Sequence, residues 1–260
     1  VGPNDKLARF LEHPSSAGLF LDFDGTLSEI VHIPSEARPV DGVPEVLQAL
    51  TRRFAVVAVV SGRSAGQLLE WLGPDIEIWG VHGAERTESG RVVLSRRAER
   101  YAGLMSKVRA EAEERLRELD LPGVILEDKG VMIGLHFRAA EDPQRAARVL
   151  DELARDLADE HGLLRAGGRL AYELRPPEEF SKRSVVLDRA RAENLNAAAF
   201  LGDDKVDLPG FDALDLLDEE GAVTMRVAVD SDEAPPVLLE RADLVVAGPP
   251  GALAFLRSLL

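Results

Sequence analysis

The chain has 260 residues, enough for one large domain or two modest ones, and its composition (45% hydrophobic, 30% charged) is that of an ordinary globular protein. With 46 acidic against 31 basic side chains the net charge is −15, which disfavours non-specific nucleic-acid binding and means that an anionic substrate needs a local cationic site. There are no cysteines, which excludes disulfides, thiolate zinc sites and a cysteine nucleophile. The apolar runs are only strand-length, so no membrane span is expected. The opening residues Val1-Gly2-Pro3-Asn4-Asp5-Lys6 lack the basic start and apolar stretch of a signal peptide, so the expected compartment is the cytoplasm.

Residues 4–12 read as a short helix. Leu19, Phe20 and Leu21 then run straight into Asp22, Phe23, Asp24, Gly25, Thr26 and Leu27. A short apolar run closed by a turn signal is the pattern of a strand buried in a parallel sheet. Residues two apart on a strand point to one side, so Asp22 and Asp24 are expected together at the strand end, with Gly25 turning the chain away. Ligands bind at the carboxyl ends of strands in open parallel sheets. Two acids crowded there repel unless a cation or a shared proton intervenes, and oxygen-only donors suit Mg²⁺ better than zinc. The acid pair alone reads equally well as a solvated loop; the longer string is what makes it specific.

After a polar loop over 33–39, Pro44 and the shared face of Val46, Leu47 and Leu50 predict a helix within 41–53. Residues 54–60 form a second apolar strand that ends at Ser61-Gly62-Arg63. Ser64 is placed to cap a helix carrying Leu68, Leu69 and Leu72, which stops at Gly73. A third strand, 76–79, leads into Gly80-Val81-His82-Gly83-Ala84-Glu85-Arg86. This βαβαβ order predicts a parallel sheet with crossover helices.

From about residue 87 the pattern changes. A hairpin strand at 91–94 precedes an amphipathic helix marked by Leu104, Val108, Ala112, Leu116 and Leu119. Residues 124–127 and 131–138 flank a turn at Asp128-Lys129-Gly130. Asp142-Pro143 opens a second helix with Ala146, Val149, Leu150, Leu153 and Leu157 inside and Gly162 past its end. A last hairpin, 163–165 and 170–175, turns at Ala166-Gly167-Gly168-Arg169. The expected organisation is an α+β module with an antiparallel sheet, 87–175, inserted into a parallel α/β core made of 1–86 and 176–260. Alternation groups Ile133, Leu135 and Phe137 with Leu170, Tyr172 and Leu174, and leaves Glu127, His136, Arg138, Glu173 and Arg175 on the opposite face. That face reads either as plain solvated sheet or as the cover of a site for a polyhydroxylated ligand. It carries no large apolar patch, so a monomer is expected.

After Pro176-Pro177 the parallel pattern resumes. Ser181 can cap a helix with Val185, Val186 and Leu187 on one face, and Lys182 falls in its first turn, where a lysine makes sense if an anion is held nearby. Residues 197–201 form a strand ending in Gly202-Asp203-Asp204-Lys205-Val206-Asp207. Strands at 223–229 and 243–247 and a helix at 252–260 close the chain. Collected at strand ends, Asp22, Asp24, Ser61, Lys182, Asp203 and Asp207 suit phosphoryl transfer. Acids from two strands can hold one Mg²⁺, a hydroxyl and an ammonium can meet phosphate oxygens, one carboxylate can take the phosphoryl group and another can protonate the leaving oxygen. Two carboxylates alone also fit a glycosidase, but that reading leaves the serine, the lysine and the third acidic cluster without roles.

In order and type, Asp22-Phe23-Asp24-Gly25-Thr26, Ser61, Lys182 and Gly202 to Asp207 resemble the four motifs of the haloacid dehalogenase-like (HAD) phosphatases, and the inserted module resembles their C2-type cap. Gly80-Val81-His82-Gly83-Ala84-Glu85, Glu127-Asp128-Lys129-Gly130, Leu135-His136-Phe137-Arg138 and Glu173-Leu174-Arg175-Pro176 look like stretches of the trehalose-6-phosphate phosphatase family. The resemblance implies a Rossmann-like HAD core with a parallel sheet plus an α+β cap. It implies Asp22 as nucleophile, Asp24 as general acid/base, and Ser61 and Lys182 as their catalytic partners. It implies Mg²⁺ held by Asp22, by Asp24 through its backbone carbonyl and by Asp203, with Asp204 and Asp207 supporting that site. Substrate contacts are expected from Gly25, Thr26, Gly62, Arg63, His82, Arg86, Glu127, Lys129, His136, Arg138 and Glu173. The implied reaction is hydrolysis of trehalose 6-phosphate, with functional coupling to a trehalose-6-phosphate synthase; a sucrose-phosphate or mannosyl-phosphoglycerate phosphatase and a non-catalytic regulatory module are the alternatives. Arg183, where the family usually has glycine, and Val206, Leu208 and Pro209 depart from the family pattern but leave the acids in place.

Overall fold

The computed structural model describes residues 2–31, 36–168, 170–177, 180–231 and 234–260. Residues 33–35 of the expected loop and Arg169 of the expected turn lie outside these. The chain divides into two compact units, Val1–Val93 with Phe180–Leu260, and Leu94–Glu179.

The elements run α1 (Pro3–Phe10), β1 (Ala17–Leu21), α2 (Val43–Thr51), β2 (Val56–Val60), α3 (Ala65–Leu72), β3 (Glu77–Gly80), β4 (Glu85–Glu88), β5 (Arg91–Leu94), α4 (Arg96–Leu119), β6 (Ile125–Asp128), β7 (Ile133–His136), α5 (Pro143–His161), β8 (Leu164–Gly168) and β9 (Ala171–Arg175). They continue with α6 (Lys182–Ala192), β10 (Ala197–Gly202), α7 (Leu208–Glu219), β11 (Val223–Asp230), α8 (Pro236–Arg241), β12 (Leu244–Ala247) and α9 (Gly248–Ser258). Among the described residues no helix is long and apolar enough to cross a membrane.

The larger unit is built on an eight-stranded sheet of order β12-β11-β10-β1-β2-β3-β4-β5. Pairing is parallel from β12 through β3, and β4 turns back antiparallel on β3. Continuous apolar strands follow from burial on both faces. Leu19 and Leu21 of β1 join Val57, Val59 and Leu201 in one core, while Phe20 joins Ala58, Val60 and Phe200 in the other. Each such side chain, fully buried, contributes about 1.5–3 kcal/mol. A charged substitution in β1 therefore has no solvated face to occupy. The helix starts are set as the sequence predicts: the Ser64 hydroxyl accepts from Gln67 N–H at α3, and Ser181 forms a capping box with Ser184 at α6.

The expected hairpin at the start of the middle module belongs elsewhere. β4 and β5 extend the eight-stranded sheet, so the unit boundary falls after Val93 rather than at residue 87. β4 finds ladder partners on β3, with Trp79 opposite Arg86. The smaller unit is thus helix, hairpin, helix, hairpin. Its four strands pair antiparallel in the order β6-β7-β9-β8. Met105, Val108 and Ala112 of α4 and Leu150, Leu153 and Leu157 of α5 pack with Ile133, Leu135 and Leu174 from the sheet. Two alternation readings need correction. Leu170 has a positive φ of 60° and is 41% exposed, because it turns the β8–β9 hairpin instead of extending β9. Arg138 does not alternate with His136, because β7 ends at His136 and the chain enters a turn closed by Ala140 N–H donating to Phe137 O.

Candidate active site

β1, β2 and β10 end side by side, and their register brings the predicted acids together. Asp22, Asp203 and Asp207 offer carboxylate oxygens that all lie within 4.8 Å of one another, and all three residues are buried. Lys182, the first residue of α6 and only 2% exposed, donates to Asp22 Oδ1 at 2.5 Å and to Asp207 Oδ1. The other Asp207 oxygen accepts the backbone N–H groups of Asp203 and Asp204 at 2.9 and 3.0 Å. Asp207 is therefore saturated with donors, and it fixes both the loop and the ammonium. Asp203 Oδ1 accepts from the Thr26 hydroxyl at 3.2 Å. Thr26 is fully buried, so the structure gives this expected substrate contact the task of orienting Asp203. Asp204 caps the short turn Lys205–Asp207.

The cluster's electrostatics follow from burial. Burial pushes the Asp22 carboxyl well above its ordinary range, the charge of Asp207 adds to this, and Lys182 only partly offsets it. Asp203 is pushed up to about 7 by burial and by Asp207. Burial works against the Lys182 ammonium, but the charges of Asp207 and Asp22 overcome it and raise its pKa. Three carboxylates against one ammonium leave two uncompensated negative charges when all are ionised. With Asp207 taken by nitrogen donors, Asp22 and Asp203 are the oxygen donors that remain, and the donor set and residual charge both fit a hard dication.

Gly25 makes this packing feasible. Its φ is +77°, and a Cβ there would stand 1.9 Å from Asp203 Oδ2. Gly25→Ala is expected to displace Asp203 and to cost about 1–3 kcal/mol, read as a lower midpoint in chemical denaturation. An unchanged midpoint would show that the turn tolerates a side chain.

Beside this cluster, Arg63 clasps Asp24 with two bonds of 2.7 Å, from Nε to Oδ2 and from NH2 to Oδ1. The guanidinium also donates to Gln67 Oε1 at 3.2 Å and lies 5.7 Å from the Phe23 ring centroid and 5.3 Å from that of Trp71. Arg63, expected to meet substrate, thus holds Asp24. Ser61 Oγ accepts from Arg63 N–H at 3.2 Å, which leaves the hydroxyl proton to be donated elsewhere. The His82 ring lies on Gly62, where a Cβ would come within 2.9 Å of His82 Cε1. Arg86 sits on β4 and pairs with Glu88 at 3.0 Å. Among the departures, Val206 is 54% exposed, Leu208 and Pro209 open α7 where a missing N–H costs nothing, and Arg183 is the second residue of α6.

The smaller unit gathers a second set on its outward sheet face. Glu127, Gly134 and Glu173 are aligned across three strands. His136 Nε2 and Glu127 Oε2 share a hydrogen bond of 2.8 Å. Lys129 Nζ donates to Glu173 Oε1 at 3.0 Å and lies 3.5 Å from Glu127 Oε2. Burial lowers the Lys129 pKa and the two carboxylates more than restore it, for a net rise. Arg138, exposed in its turn, stands outside this network.

The profile of the trehalose-phosphatase family matches residues 20–236, which takes in every one of these positions. The chain belongs to the trehalose-phosphatase family. It is 37% identical over 213 residues to the trehalose-phosphate phosphatase of Mycolicibacterium paratuberculosis, an alignment covering 78% of this chain and 51% of that protein. The chain spans about half the length of the curated relatives it matches. By fold it is similar to trehalose-6-phosphate phosphatase of Aspergillus fumigatus, with a TM-score of 0.66, 23% identity, and 98% and 96% of the two chains covered. It is similar also to a haloacid dehalogenase-like hydrolase of Bacteroides thetaiotaomicron, with a TM-score of 0.58, 16% identity, and 94% and 99% covered. The parallel core with a separate antiparallel unit is therefore a HAD-like fold.

Two features of the site carried no readable sequence signal. The Asp24–Arg63 clasp joins residues 39 apart, and nothing local marks it. The bond from Ala65 N–H to Glu85 Oε2, 2.8 Å, joins residues twenty apart and has no local mark either.

Proposed function

We propose that this chain hydrolyses trehalose 6-phosphate to trehalose and inorganic phosphate. The observation that carries the reading is Lys182 joining Asp22 and Asp207 at the sheet's carboxyl edge within a family match of 20–236. Asp22 is the nucleophile: its carboxylate oxygen attacks phosphorus, the bond to the sugar oxygen breaks, and an aspartyl-phosphate forms. Asp24 gives a proton to the departing sugar oxygen, then takes one from the water that cleaves the acyl-phosphate. Each transfer requires Asp24 to loosen at least one of its two bonds to Arg63. Lys182 and the Ser61 hydroxyl meet the phosphate oxygens, where charge builds in the transition state.

Asp22 and Asp203 would hold Mg²⁺, with the Asp24 backbone carbonyl added by family resemblance. When bound, the ion supplies charge neutralisation at the phosphoryl group. The module around Leu94–Glu179 acts as a cap-type specificity unit. Its Glu127, Lys129, His136 and Glu173 present acceptors and donors suited to sugar hydroxyls.

The test is phosphate release from trehalose 6-phosphate, glucose 6-phosphate, sucrose 6-phosphate and mannosyl-3-phosphoglycerate, with Mg²⁺ and then with chelator. Preferred turnover of trehalose 6-phosphate that stops on chelation is the expected result. Faster turnover of another member would keep the chemistry and reassign the substrate, and no turnover by folded protein would favour a regulatory module.

A further inference from the structure

The stretch Gly80–Glu85, expected to touch substrate through His82, is tied by its backbone and by Glu85 to the Ser61–Ala65 loop. Val81 N–H donates to Arg63 O at 2.8 Å, and His82 N–H to Ser61 O at 3.0 Å. Ser61 N–H donates in turn to Trp79 O at 2.9 Å. The Glu85 carboxylate reaches back twenty residues and accepts Ala65 N–H at 2.8 Å, satisfying a first-turn donor of α3. On its other flank the stretch meets α6: a Cβ at Gly83 would come within 2.5 Å of Val185 Cγ2. Lys182 stands one turn earlier on that helix.

The backbone of this stretch is not relaxed. Val81 and His82 have φ of +48° and +56°, and Gly83 follows at +98°. A β-branched residue with positive φ is a genuine outlier, and such strain persists only where its surroundings over-determine it. Here they do: Val81 is 5% exposed and both strained residues spend their N–H groups on the loop.

We infer that residues 81–85 are a positioning clamp, with Glu85 as its latch, that sets the Ser61-Gly62 phosphate loop in fixed register with Lys182 on α6. The inference rests on the phosphatase reading, since it gives Ser61 and Lys182 a common phosphoryl group. Glu85 touches no reacting atom; it acts through the amide of Ala65. A loop displaced by an ångström costs turnover even though every catalytic group is still present.

The experiment compares wild type, Glu85→Ala and Glu85→Gln. Binding of inorganic phosphate is measured by calorimetry, kcat and KM by phosphate release, and backbone exchange by deuterium labelling of peptides covering 61–66. Glu85→Ala is expected to lower kcat about 10- to 100-fold, weaken phosphate binding, and speed exchange in 61–66 but not in 17–22. Glu85→Gln, which keeps an acceptor for Ala65 N–H, is expected to restore most of both. A Glu85→Ala protein with a lower melting temperature but wild-type phosphate affinity and kcat would overturn the clamp and leave Glu85 a structural cap. If Glu85→Ala does not fold, Glu85→Gln still decides: faster exchange in 61–66 without loss of phosphate affinity or kcat overturns it as well. Wild type that neither binds phosphate nor releases it would instead remove the phosphatase reading on which the clamp rests.

Discussion

Lys182→Met is expected to destabilise the larger unit by about 3–5 kcal/mol and to abolish turnover. The methionine fills a similar volume, so the loss is one of charge. Lys182 is 2% exposed and is the cation shared by Asp22 and Asp207, which are themselves buried. Without it the two carboxylates face each other in a medium that solvates neither. Asp207 keeps its two backbone donors, but Asp22 loses its ammonium partner. Urea unfolding followed by circular dichroism measures the change as a shift in midpoint. The combination with Asp22→Asn should recover part of the loss, because one of the stranded charges is then gone. A variant that unfolds at the wild-type midpoint would show that the ammonium is not the counter-charge of this cluster.

Asp22→Asn is expected to separate activity from stability. Removal of the proposed nucleophile should lower phosphate release by at least about 10⁴-fold, in the range seen when a covalent catalyst loses its attacking group. Stability in chelator should hold or rise. Burial, then Asp207, hold the folded Asp22 carboxyl well above its ordinary pKa, so the folded state binds that proton more tightly than the unfolded one. Such a group disfavours folding once the pH exceeds its unfolded value, and a neutral amide removes that cost. The gain over wild type is therefore absent in acid, where both forms of Asp22 are neutral, and grows as the pH rises through the ordinary carboxylate range. Thermal melts at acidic and neutral pH in chelator measure it. A strongly destabilised Asp22→Asn at neutral pH would mean that the contact with Lys182 outweighs burial.

The acidic strand ends were readable because two periodicities coincide there. Leu19 to Leu21 could only be a buried strand, and period two then put Asp22 and Asp24 on the same edge. Ser61 and Asp203 follow from the same reasoning on β2 and β10, and parallel pairing brings the three ends together. What the sequence hid was partner choice. Asp24 and Asp22 look alike in sequence, yet Asp22 turns to Lys182 and Asp24 to Arg63. Local pattern also cannot say which sheet a short hairpin will join, so β5 and the last two residues of β4 were expected in the middle module although both strands extend the larger sheet. Leu170 was misread because a hairpin turn with positive φ took a residue whose apolar character fits a strand. Thr26 and Arg63 illustrate a general limit: a motif names residue types, while the bonds they make to Asp203 and Asp24 appear only in the fold.

The position of β1 has a consequence for how the molecule matures. Its first neighbour, β2, emerges within forty residues, but its second, β10, pairs Ala17 with Ala197, across 180 residues of chain. At a synthesis rate of about 5–20 residues per second, the edge of the strand that leads into Asp22 stays unpaired for roughly 10–40 seconds. The smaller unit, contiguous from Leu94 to Glu179 and rich in local pairings, can close during that wait. An open, wholly apolar strand edge is a template for mispairing between nascent chains. Chaperone demand should therefore peak before residue 202 leaves the ribosome, and fragments ending near residue 180 should aggregate more readily than the full chain.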